Sequence, residues 1–195
     1  MPRRLAILLS GRGSNLEAIA RAVGRGEIRD AAIVAVVSDV PSAPGLARAR
    51  ALGLPAFAID RVQFSTRRAY EDEVLRVLEA ARPELLCLAG YMRILSPEFI
   101  GRYPGRILNI HPSLLPKHPG LNSQQRALEA GDTVAGCTVH RVEEGVDSGP
   151  VLLQRTVAIE PGDNVESLSR RILEEEHRAY PAAIARALEE LPAQP

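Results

Sequence analysis

Apolar residues in this chain come as short continuous runs separated by segments with a helical period. Leu5 to Leu9 is one such run, and it enters Ser10-Gly11-Arg12-Gly13-Ser14-Asn15-Leu16, after which Leu16, Ile19, Ala20 and Val23 share one helical face. That is the pattern of a buried strand, a glycine-rich turn and a helix. Ala32 to Val37 predicts a second buried strand, Ser42, Pro44 and Gly53 bracket a helix, and Ala56 to Ile59 predicts a third strand. Ser65 or Thr66 then caps a helix whose Tyr70, Val74, Val77, Leu78 and Ala81 follow the 3.6-residue period as far as Pro83. Leu85 to Ala89 reads as a further buried strand, Ser96-Pro97 as the start of a short helix, and Ile107 to His111 as a strand.

Asn122 or Ser123 begins a helix that closes at Gly131. Here the period changes. Gly136 to Val142 alternates as a half-exposed strand and Val151 to Ile159 follows after a loop, so the C-terminal part is expected to be partly antiparallel. Asp163 and Glu166 have the spacing of a capping box for a long helix carrying Val165, Leu168, Ile172 and Leu173, which Pro181 breaks or kinks after Tyr180. Alternating β and α elements make the class α/β with a mainly parallel sheet.

Length and charge narrow this picture. A chain of 195 residues is the size of one α/β domain, so a single domain over 1–195 is expected. The 24 basic and 24 acidic residues cancel, which argues against a nucleic-acid tract or a membrane-surface patch. Only five apolar residues follow Met1-Pro2-Arg3-Arg4, too few for a secretory segment or a membrane span. Cys87 and Cys137 each lie inside an apolar run, as buried reduced thiols do, so a soluble cytoplasmic protein is expected, and no set of residues has metal-ligand spacing.

Candidate chemistry concentrates in Ile107 to Gly120, which reads ILNIHPSLLPKHPG. On a strand, Asn109 and His111 at i and i+2 point to one face while Ile110 points into the core. Pro112 biases His111 towards extended geometry, and Pro116 and Pro119 restrict the loop beyond it. Locally, the pair reads equally well as a turn former and a surface histidine. The glycine-rich turn reads as a phosphate cradle at a helix N-terminus, or as a plain cap by Ser14 or Asn15. A dinucleotide fingerprint needs a third glycine where Leu16 stands, although Asp39 could imitate its ribose-binding acid. Arg67 in the first turn of its helix either meets an anion or is solvated. Met92, Ile94 and Leu95 either line a flat ligand, with Arg93 at its rim, or belong to the core. Asp147 in Asp-Ser-Gly-Pro reads locally as a turn former, and Glu176-His177 as a solvated face.

Taken in order, Ser10 to Leu16, Gly90-Tyr91-Met92-Arg93-Ile94-Leu95-Ser96, Asn109-Ile110-His111-Pro112-Ser113-Leu114-Leu115-Pro116 and Val146-Asp147-Ser148-Gly149-Pro150 resemble the phosphoribosylglycinamide formyltransferase family, folate-dependent enzymes of purine synthesis. The resemblance runs over nearly the whole chain. It implies a single-domain Rossmann-like formyltransferase fold: a mostly parallel central sheet, an antiparallel C-terminal part and helices on both faces. It implies formyl transfer from 10-formyltetrahydrofolate, as co-substrate, to glycinamide ribonucleotide, without a metal, by a monomer or homodimer.

By the same resemblance, Asn109, His111 and Asp147 are catalytic, and Gly13, Ser14 and Asn15 hold the ribonucleotide phosphate. Glu176 lies near the ribonucleotide, and Arg67, Met92, Arg93, Ile94, Leu95 and Asn109 contact folate. A cis Leu115-Pro116 bond is also implied. The chain departs from the pattern at Gln124, where many relatives carry histidine, and His140 stands either as a polar neighbour of the site or as a structural residue. The Asn-x-His-Pro-Ser-Leu-Leu-Pro element is shared with other users of 10-formyltetrahydrofolate. A methionyl-tRNA formyltransferase or a deformylase would carry a further domain for which this chain has no length, and a non-catalytic nucleotide-binding module would not need the catalytic set.

Overall fold

The first apolar run becomes an interior strand of a sheet, β1 (Arg3–Leu9), and its last five residues are buried on both faces. Continuous apolar runs of this kind fit strands covered by helices on either side. The computed structural model describes residues 1–192. Its other strands are β2 (Ala31–Ser38), β3 (Ala56–Ala58), β4 (Leu85–Leu88), β5 (Ile107–His111), β6 (Val134–Arg141) and β7 (Val151–Ala158). The seven form one sheet in the order β3-β2-β1-β4-β5-β6-β7. β1 to β5 pair in parallel, while β6 runs antiparallel to both β5 and β7.

Among the described residues, six α-helices flank the sheet: α1 (Ser14–Gly24), α2 (Pro44–Ala51), α3 (Arg67–Ala81), α4 (Pro97–Arg102), α5 (Ser123–Glu129) and α6 (Val165–Glu190). Alternation along β1 assigns the two cores. Leu5, Ile7 and Leu9 pack with Leu16 and Ile19 of α1 and with Leu168, Ile172 and Ile184 of α6. Ala6 and Leu8 face the other way, onto Tyr70, Val74 and Leu78 of α3 and Phe99 of α4. This is the α/β class expected, with a mostly parallel sheet, an antiparallel C-terminal part and helices on both faces. The chain moves outward from β1 to β2 and β3, then returns to place β4 on the other side of β1. The loops leaving the carboxyl ends of β1 and β4 therefore diverge, and such a switch point opens a crevice.

Three local expectations are corrected. β6 is buried on both faces along Ala135–His140 rather than half-exposed. Ala135, Cys137 and Val139 join the core under α6. On the opposite face, the Thr138 hydroxyl donates to Ser113 O at 2.6 Å and accepts from Leu115 N at 3.0 Å, so the loop after β5 covers it. β7 is instead the partly exposed edge. The capping box of α6 is Asn164 with Ser167, one residue beyond Asp163 and Glu166. Asp163 instead pairs with Arg171 and accepts from Ser167 Oγ and Glu160 N.

Pro181 does not break α6, which runs through it to Glu190. A proline inside a helix costs about 3 kcal/mol. Beyond it, Ile184 and Leu188 are buried, each contributing roughly 1.5–3 kcal/mol, and just before it the Tyr180 hydroxyl lies 3.0 Å from the carbonyls of both Leu88 and Leu108. Packing on both sides of the proline outweighs the defect.

Candidate active site

β5 presents Asn109 and His111 on one face while Leu108 and Ile110 enter the core on the other, as alternation requires. Pro112 follows directly, and Leu115-Pro116 is cis, as the resemblance implied. Asp147 reaches this face from the loop between β6 and β7, with its backbone at φ 52. Its Oδ2 accepts from the Gly120 N–H at 2.8 Å and lies 3.2 Å from His111 Nδ1. Its Oδ1 accepts from Asn109 Nδ2 at 3.3 Å. The carboxylate thus bonds groups far away in the chain, where its local sequence read as a turn former.

The partners set the proton positions on both histidines. His111 Nε2 lies 2.9 Å from the His118 carbonyl, so Nε2 donates. Its Nδ1 faces the carboxylate at 3.2 Å, an ion pair whenever the ring is protonated. His140 Nδ1 donates to Arg141 O at 2.9 Å, and its Nε2 accepts from Asn109 Nδ2 at 3.2 Å when the ring is neutral and faces Asp147 Oδ1 at 3.5 Å when it is protonated. Antiparallel pairing puts His140 directly opposite Asn109, so this histidine is a buried neighbour of the site. Burial alone would raise the Asp147 carboxyl. The contacts from His140 and Gly120 N–H, with the charge that His111 and His140 carry when protonated, outweigh burial and hold it below the usual carboxylate range.

These groups border a cleft of about 700 Å³ whose other wall is the loop after β4. Ser10 N donates to Gly90 O at 3.0 Å and Met92 N to Ser10 Oγ at 2.8 Å, which joins the loops at the switch point. Met92 and Ile94 are 66% and 65% exposed while Leu95 is buried at 6%, so the first two are available to a ligand and the third also anchors the loop in the core. Arg93 and Gln124 also line the cleft. Arg67 stands behind this wall. It donates to Glu71 Oε1 at 3.0 Å and to the Ile94 carbonyl, and Glu71 Oε1 also accepts from Ser96 N at 3.0 Å. Arg67 is therefore pinned to the loop rather than freely solvated.

A second group forms at the start of α1, outside the wall of that cleft. Gly13 is the N-cap, at φ 78, and makes no side-chain cap, so neither Ser14 nor Asn15 caps the helix. A Cβ on Gly13 would lie 2.5 Å from Gly45 Cα. Glycine is needed there both for its conformation and for the contact with the start of α2. The first N–H groups of α1 have no partners within the helix, which suits an anion. Asn15 is buried and its Nδ2 donates to Glu176 Oε2 at 2.7 Å. Glu176 is buried too, which corrects the solvated-face reading. Burial raises its carboxyl, against the Asn15 hydrogen bond and the charge of Arg12. Gly45, Gly120, Ser10 and the His118 carbonyl were not singled out from sequence, and no local signal marks them, because each acts through a distant contact.

Residues 3–184 match the family model described as formyl transferase. The chain is 49% identical over 189 residues to the trifunctional purine biosynthetic protein adenosine-3 of Drosophila pseudoobscura pseudoobscura, covering 94% of this chain and 14% of that protein's length. It is 44% identical over 182 residues to the phosphoribosylglycinamide formyltransferase of Haemophilus influenzae, covering 93% of this chain and 85% of the relative. The crystal structure of glycinamide ribonucleotide transformylase 1 from Symbiobacterium toebii superposes with a TM-score of 0.94 at 46% identity, covering 99% of this chain and 91% of the other. The same fold therefore comes with closely similar sequence over nearly all of the chain, and the chain belongs to the formyl transferase family, among its phosphoribosylglycinamide formyltransferases.

Proposed function

We propose that this chain transfers the formyl group of 10-formyltetrahydrofolate to the primary amine of glycinamide ribonucleotide. The observation that carries the reading is the meeting of Asn109, His111 and Asp147 at one end of an apolar-walled cleft. The amine attacks the formyl carbon, a C–N bond forms and the formyl oxygen becomes an oxyanion. Collapse breaks the bond to the folate nitrogen, which takes up a proton as the attacking nitrogen loses one.

The His111 imidazolium and the Asn109 amide stabilise the oxyanion, and one such donor is typically worth about 2.7–4 kcal/mol. Asn109 Nδ2 holds its present acceptors at 3.2 and 3.3 Å, long for N–H donors, so exchanging the His140 nitrogen for a charged oxygen is favourable. Asp147 keeps His111 oriented, with its carboxylate facing Nδ1. Gly13, Ser14 and Asn15 take the ribonucleotide phosphate, with Glu176 near the ribonucleotide. Met92, Arg93, Ile94 and Leu95 bound the folate, with Asn109 at its formyl end and Arg67 supporting their loop. Cys87 and Cys137 are free and buried, which accords with a reducing cytoplasm.

Asp147→Asn tests the roles. It keeps the shape of the side chain but removes the charge facing His111, so kcat should fall about 10²-fold or more while both KM values stay close to the parent. Activity of the parent needs the ionised carboxylate, so its acidic limb should lie below the ordinary carboxylate range and be absent from the variant's profile. An unchanged kcat would remove Asp147 from the mechanism.

A further inference from the structure

Asp39 ends the strand beside β1, where a dinucleotide-binding fold would keep a ribose-binding acid. Here the carboxylate is turned elsewhere. Asp39 Oδ2 accepts from Arg93 Nε at 2.8 Å, with the Asp39 side chain 3% and the Arg93 side chain 45% exposed. Arg93 lines the cleft and Asp39 does not. The two Nη groups of Arg93 have no hydrogen bond to the described residues, so the guanidinium is held by one edge and presents the rest.

Asp39 Oδ1 is buried without any hydrogen-bond partner. Nearby, the hydroxyls of Tyr70 and Tyr91 meet each other at 2.5 Å. Burial pushes the Tyr70 hydroxyl up to about 12, and the charge of Asp39 adds to the effect. A half-satisfied buried carboxylate is a poor way to stabilise a fold, since an unpaired charged oxygen out of water is costly. Its other tie is to a residue of the ligand wall. The rest of that wall is already fixed from Ser10, Glu71 and Arg67, so Asp39 is not required to hold the backbone.

We propose that Asp39 is a positioning residue for the formyl donor: it fixes the Arg93 guanidinium across the switch point so that its free edge meets the ligand. The inference rests on the folate cleft proposed above. It makes Asp39 a residue kept for affinity at some expense of stability.

The test is a double-mutant cycle with Asp39→Asn, Arg93→Ala and both, measured for formyl transfer and by thermal melts. Asp39→Asn should raise the KM for 10-formyltetrahydrofolate about tenfold, the effect of one charge-assisted hydrogen bond, and leave kcat and the ribonucleotide KM near the parent. Its melting temperature should equal or exceed the parent's. In the Arg93→Ala background, Asp39→Asn should add nothing further to the donor KM, because Asp39 acts only through Arg93. Independent, additive effects, or a lowered melting temperature with an unchanged donor KM, would overturn the proposal. Absence of formyl transfer in the parent would instead overturn the functional reading itself.

Discussion

Glu176 is 8% exposed, and among the described residues its only side-chain hydrogen bond is from Asn15. Because burial raises its carboxyl, the folded chain keeps the proton at pH values where the unfolded chain has released it. Stability should therefore fall as pH rises from the ordinary carboxylate range through the raised value, and stay lowered at neutral pH. Glu176→Gln retains an oxygen for Asn15 and removes the charge. At neutral pH it should melt higher by roughly 2–4 °C, the shift that about 1 kcal/mol makes in a domain of this size, and the gain should shrink towards about pH 4. If Glu176 serves the ribonucleotide, the same change raises the ribonucleotide KM and spares the donor KM. A lower melting temperature at neutral pH would contradict this account of the buried charge.

At the scale of elements, the glycine-rich turn is where two helix starts touch. Gly13→Ala would force a Cβ to 2.5 Å from Gly45 Cα at φ 78, and the atoms it would meet are all backbone of Gly45, which cannot swing aside. The change should destabilise the fold by at least about 1 kcal/mol and weaken ribonucleotide binding more than donor binding, checked by thermal melts and the two KM values. Equal losses for both substrates would count against a phosphate site there. Such elements were readable where local pattern decides them. The β5 strand matched Ile107–His111 because apolar residues run up to a proline, and Thr66 and Ser96 cap α3 and α4 as their positions suggested. The start of α6 was not readable to one residue, since Asp163-Glu166 and Asn164-Ser167 both have capping spacing and the ion pair from Arg171 decides between them. The burial of β6 was hidden too, because Thr138 is covered by a loop from another part of the chain. Asp147 shows the same limit: its local sequence fits a turn, and only Gly120 and His111, brought together by folding, give the carboxylate its partners.

For the molecule as a whole, sheet direction organises the chemistry. The loops carrying Gly13 and Met92 to Leu95 leave the carboxyl ends of the parallel strands β1 and β4, and His111 ends the parallel strand β5, on the edge of the sheet where the crevice opens. The antiparallel β6 runs away from that edge, with Arg141 opposite Leu108, and the loop after it folds back along β5 to set Asp147 against His111 and Asn109. Two surfaces result, the uncapped start of α1 and an apolar-walled cleft, tied together by Ser10. An amine acceptor bearing a phosphate and a flat formyl donor fit that division. The most direct measurement is folate release from 10-formyltetrahydrofolate by the purified protein with glycinamide ribonucleotide, formyl-acceptor tRNA or water in turn. The account predicts rapid release with the ribonucleotide alone, with the formyl group recovered on its amine. Release with water or tRNA at a comparable rate, or none with the ribonucleotide, would contradict it.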